Sequence, residues 1–183
     1  MLKRLSARAQ VAEASREAHQ ALHVHPVFER LLSTDVELED CLRALISLQA
    51  VYAAAEARRA ELGVWEDLNL ARQCAALAVD VGAVDRERLA SMAFVQTRLD
   101  ALGLLYTLHG AQFGSPGIAA HLSKHLPSGP LAFYGLKPNA ALWRVLVAEL
   151  EASAENTADL ERIAKASNAA FSVISDHASQ RLN

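Results

Sequence analysis

Apolar residues recur at three- and four-residue spacing along most of the chain, the period of an amphipathic helix. Leu42, Leu45, Ile46, Gln49, Tyr52 and Ala53, for example, fall on one helical face. The pattern predicts long helices over about 5–24, 36–62, 66–81, 85–109, 139–152 and 157–182, with a short one at 27–32. Pro26 ends the first, because proline lacks a backbone donor and constrains the residue before it. Ser33, Thr34 and Asp35 are candidate caps for the 36–62 helix, Gly63 and Gly82 are stops, and Asp85 is a candidate cap for the 85–109 helix. Two stretches interrupt the pattern: 109–117, with three glycines and Pro116, and the loop 127–130. Internal repeats and long linkers are missing from the sequence. One all-α domain over residues 1–183 is the economical reading.

Abundant Ala and Leu support helices, and a hydrophobic content of 52% suffices for a core. A formal net charge of -3 offers no general attraction to nucleic acid, although a local basic rim is compatible with it. Cys41 and Cys74 form neither a CxxC pair nor a zinc spacing and are expected to be free thiols. Lys3, Arg4 and Arg8 are not followed by an apolar signal core, and no uninterrupted apolar run has the length of a membrane span. A cytoplasmic protein without membrane attachment is the expectation.

Two segments carry candidate chemistry. In Ser15-Arg16-Glu17-Ala18-His19, Ser15 lies one turn before His19, and Leu22 lies three residues after it. His19 is a candidate iron ligand, since a neutral imidazole nitrogen binds iron well; a partly buried structural histidine is the bland alternative. His23, one turn further on, offers a two-histidine metal pair, but without the acidic residue of an HExxH arrangement. In the second segment, Leu102 to Gly114, Gly110 and Gly114 share a helical face. Lacking side chains, they admit either a neighbouring helix, which spacing alone favours, or a flat cofactor.

Leu102-Gly103-Leu104-Leu105-Tyr106-Thr107-Leu108-His109-Gly110 resembles the LGALYVLEG pattern of bacterial heme oxygenases. Ser15 to His19 resembles the T-x-x-x-H of that family, whose histidine is the proximal ligand. Phe133-Tyr134-Gly135 followed by Trp143 is similar to the family's aromatic-glycine turn and tryptophan, and Asn168-Ala169-Ala170-Phe171 to its N-T-A-F. The order holds over nearly the whole chain. The resemblance implies a helical heme-oxygenase-like fold with heme as both cofactor and substrate, converted with oxygen and electrons to biliverdin, iron and carbon monoxide. It implies His19 as the metal ligand and Gly110 and Gly114 as the catalytic distal backbone. Tyr106 and Arg144 would be further heme-binding residues, Arg144 toward a propionate; each also has a plain reading, as a core anchor and an exposed arginine. The partners implied are a ferredoxin or flavoprotein reductase and a bilin-binding photoreceptor, with no nucleic acid and no membrane.

The chain departs from the family pattern at four places. Ala12 replaces a basic residue, leaving Arg8 or Arg16 as substitutes. His109 replaces an acidic residue and brings a second histidine toward the distal side. Ala111 replaces Asp or Ser, leaving Gln112 to organise water. Ser115-Pro116 replaces the second glycine of the terminal pair and is expected to sharpen the bend. These departures motivate an alternative, a heme carrier or sensor with reduced or absent oxygenase activity. A third reading is an interaction module that keeps the scaffold without heme.

Overall fold

The structure is a computed structural model that describes residues 5–181. The described residues form α-helices joined by short 3-10 turns, without strands. The helices are α1 (Ala7–Ala14), α2 (Arg16–His23), α3 (Pro26–Glu29), α4 (Leu38–Glu61), α5 (Ala71–Val81), α6 (Arg98–Ala111), α7 (Ser115–His125), α8 (Ala140–Ser153) and α9 (Thr157–Ser179). The all-α expectation holds.

Helix α6 forms the centre, with nine of its residues from Asp100 to His109 buried around its whole circumference. Its closest neighbour is α9, and the approach depends on Gly103. A Cβ there would collide with the Ile163 carbonyl oxygen and stand 2.9 Å from Ala166 Cβ, closer than real Cβ atoms come, with Ser167 N a tight 3.0 Å away. One turn on, Thr107 Oγ1 shares a hydrogen bond with Ser167 Oγ at 2.8 Å. Both helices advance in the same direction across this contact. From α4, the buried Tyr52 donates its hydroxyl hydrogen to Leu108 O at 2.8 Å and meets Phe133 edge-on. The Asp80 carboxylate accepts from the Ala132 and Phe133 amides, which fixes the turn before Gly135.

Several boundaries differ from the pattern-based expectation: α4 is capped by Glu37 in a capping box with Asp40 rather than by Ser33, Thr34 or Asp35, and α7 is a helix that the pattern did not predict. The first helix breaks at Ser15, whose hydroxyl donates to Val11 O at 2.8 Å and whose backbone leaves the helical region; such back-bonding by serine bends helices. The 66–81 segment begins as a 3-10 turn over Glu66–Leu68, and α5 starts only at Ala71. Asp85 caps only the 3-10 turn Arg86–Arg88, and the long helix begins instead at Arg98. Pro116 opens α7 in its first turn, where a missing amide hydrogen costs nothing, rather than bending a continuing helix. In the last helix the predicted end at Leu182 lies outside the described residues, as do Lys3 and Arg4 of the N-terminal basic cluster.

Candidate heme site

Helix α2 carries His19 on an exposed face, where its ring packs against Phe171 of α9 at a centroid distance of 5.5 Å. Burial, and then the neighbouring His23, hold its pKa below the ordinary histidine value, so the neutral imidazole dominates at neutral pH. Phe171 lies one turn beyond Ser167 on α9, and Gly110 lies one turn beyond Thr107 on α6. The wall behind His19 and the glycine face of α6 therefore extend past the same helix crossing.

The glycines are not equivalent. Gly103 and Gly110 lie on α6, whereas Gly114 lies beyond its end at the cap of α7, so the shared helical face expected for Gly110 and Gly114 is interrupted after Ala111. Gly103 is required by packing, as described above. A Cβ on Gly110 would meet only Trp143, at an ordinary 3.5 Å, and one on Gly114 only Ala111 O, at 3.6 Å. Neither has a positive φ. Helix packing therefore accounts for Gly103 and leaves Gly110 and Gly114 without an intramolecular reason to be glycine.

An aromatic cluster borders Gly110. Trp143 of α8 stacks on Tyr106 at 5.3 Å and meets Phe113 edge-on at 5.2 Å. Tyr106 is half-buried, which raises its pKa, while nearby Arg8 opposes the rise. The Arg8 guanidinium stands 6.0 Å from the centre of the Trp143 ring. Glu151 of α8 accepts from the Ala7 and Arg8 amides at 2.8 and 3.0 Å, tying the start of α1 beside this cluster. Arg144 follows Trp143 on α8 and is exposed; among the described residues it makes no ion pair.

His109 points elsewhere. It is buried, with Nε2 bonded to Leu68 O at 2.9 Å and Nδ1 to Gln73 Nε2 at 3.2 Å. Burial holds its pKa below the ordinary value. With both ring nitrogens bonded in the core, it is not placed as a distal iron ligand, contrary to what its position beside Gly110 suggested. Gln112 is buried, and its Nε2 lacks a hydrogen-bond partner. It lines a cleft of about 110 Å³ together with Gln73, His109, Phe113 and Trp143. Cys41 and Cys74 are free, and burial pushes both thiols up to about 11, which disfavours thiolate ligation.

The donor set suits an iron porphyrin: a neutral accessible imidazole, a backbone face without side chains, an aromatic wall, and Arg8 and Arg144 for carboxylates. Sequence reasoning brought out His19, Tyr106 and the glycines, but not the aromatic cover formed by Phe113 and Trp143. Tyr106 lies on α6 and Phe113 in the turn after it, and the two are brought together by Trp143 of α8, which sequence spacing does not register.

The overall arrangement is the heme oxygenase fold. Heme oxygenase-1 of the cyanobacterium Synechocystis sp. PCC6803 in complex with heme superposes with a TM-score of 0.73 at 17% identity, covering 96% of this chain and 92% of that one. The heme oxygenase of Leptospira interrogans gives 0.74 at 16% identity, covering 96% of this chain and 100% of that one. Heme oxygenase-2 of Synechocystis sp. PCC 6803, in complex with heme and NO, gives 0.71 at 16% identity, covering 97% and 85%. No protein-family model matches the sequence, and no curated protein does.

Proposed function

We propose that this protein is a heme oxygenase, binding heme and opening it to biliverdin, iron and carbon monoxide with dioxygen and a reductant. The observation that carries the reading is the pair Gly110 and Gly114, glycines with neither a packing nor a dihedral reason, set past the same crossing as the His19 ring. Solved structures of the same fold include heme complexes.

His19 would hold the iron through its neutral imidazole. Gly110 at the end of α6 and Gly114 at the cap of α7 would let the backbone there approach the opposite face of the ring. Tyr106 and Trp143 would flank the porphyrin, with Trp143 leaving its place over Gly110 to lie against the ligand edge. Arg144 and Arg8 would meet the propionates at the rim. Heme bound there, as cofactor and substrate together, supplies the oxygen chemistry. Electrons would come from a ferredoxin or flavoprotein reductase in the cytoplasm, and the bilin would serve iron release or a photoreceptor. No helix among the described residues is long and apolar enough to cross a membrane.

Hemin, ascorbate and oxygen mixed with the protein should convert the Soret band into biliverdin absorbance. A stable ferrous-oxy spectrum without ring opening would contradict oxygenase activity. It would favour the second reading, a heme carrier or sensor, which rests on Ala111: this position has no side-chain polar atom to organise water beside Gly110.

A further inference from the structure

On α2, His19 and His23 stand one turn apart, and on this exposed face their Nε2 atoms share a hydrogen bond at 3.3 Å, whose single proton a metal ion can replace. Their ring centroids are 4.7 Å apart, with planes inclined at 68°. Imidazole nitrogen binds zinc at about 2.0–2.1 Å, and two such bonds at a tetrahedral angle hold their nitrogens roughly 3.3–3.4 Å apart. The pair thus already has the bite of a bidentate chelate.

Of the other histidines, His177 is buried on α9 with its Nε2 unpartnered and no second histidine paired with it, and the rest are committed or oriented differently. His25 bonds Ser179 Oγ through Nε2 and caps α3 by accepting from the Val27 amide at Nδ1. His121 stacks face to face on His125 and has its Nε2 on Ser33 O. His109 uses both nitrogens in the core. Among the described residues no third His, Cys, Asp or Glu joins a metal-binding group, so water would complete the coordination on this exposed face.

We infer that His19 and His23 form a surface chelate for a late first-row divalent ion such as Zn²⁺, and that this ion excludes iron porphyrin from His19. Divalent copper, nickel and zinc all accept imidazole donors, and the accessible face imposes no geometry against them. The chelate stands without heme; only the competition rests on the reading of His19 as proximal ligand. One nitrogen cannot serve both metals at once.

The test is isothermal titration of the full chain with zinc chloride, with His23→Ala and His121→Ala in parallel. Wild type and His121→Ala should bind one Zn²⁺ alike, and His23→Ala should bind it at least about tenfold more weakly, the loss of one of two chelating ligands. Zinc affinity unchanged in His23→Ala, or no saturable binding in wild type, overturns the chelate. A second arm titrates hemin with and without saturating zinc. Zinc at a concentration that just saturates wild type should weaken hemin binding several-fold there and markedly less in His23→Ala. Equal hemin affinity with and without zinc in wild type overturns the competition. Wild type that binds zinc but no hemin overturns the heme reading and leaves the chelate intact.

Discussion

Single residues carry the distinction between scaffold and site. Gly103 and Gly110 look alike in the sequence, both small positions on the same stretch, and only the neighbouring backbone separates them. Gly103 faces α9, where an added methyl group meets Ala166 and Ser167. Gly103→Ala should therefore destabilise the fold by about 1–3 kcal/mol, the range for overpacking. Gly110→Ala meets only ordinary contact with Trp143. It should hold or gain stability, by up to about 1 kcal/mol from reduced helix entropy cost, while weakening hemin binding. Urea unfolding and hemin titration of both variants check this. Equal destabilisation of the two variants would remove the functional argument for Gly110. His109 gives the matching lesson for side chains: its place beside Gly110 in the sequence suggested the iron, whereas Leu68 O and Gln73 hold it in the core.

At the level of elements, most helices were legible from periodicity; α7 was missed behind its glycines and Pro116, and the other errors fell where capping decides. The start of α6 is set by Thr97-Arg98-Leu99-Asp100, a reciprocal capping box that apolar spacing does not register. Asp100 accepts from the Thr97 amide and hydroxyl, from the Gln96 amide and from Arg162 of α9. It therefore joins the start of the central helix to its main partner. Burial pushes its carboxyl up, but Arg162 and the Thr97 bonds outweigh this, and its pKa lies below the ordinary 3.8. The ionised form is favoured on folding. This stabilisation is complete above the ordinary value and is lost as pH falls through the lower folded value. Asp100→Asn should cost about 1.5–3 kcal/mol at neutral pH, the range for hydrogen bonds to a charged group. Its stability should also change less than that of wild type as the pH is lowered below about 4. Denaturant unfolding at a series of pH values measures both; a variant as stable as wild type would show that Arg162 does not depend on this carboxylate. The break at Ser15 and the start of α7 at Pro116 follow from equally local chemistry: one hydroxyl on a carbonyl, and one ring in a first turn.

For the whole molecule, the order of segments carried the fold, and the heme oxygenase neighbours span nearly the full chain despite sharing few identical residues. The site was legible less completely. Its residues come from α1, α2, α6, α8, α9 and the turn after α6, and their distances depend on how α6 and α9 cross at Gly103, a tertiary contact that leaves only a glycine in the sequence. The cluster of Tyr106, Phe113 and Trp143 likewise arises when α8 is laid over the end of α6. His19, which packs on Phe171 beyond the same crossing, is the residue proposed as the iron ligand. Absorbance titration of wild type and His19→Ala with hemin tests this assignment most directly. Wild type should bind one hemin with a histidine-ligated Soret band, and His19→Ala should lose that band and recover it on addition of free imidazole. Identical spectra and affinities in the two proteins would contradict the account.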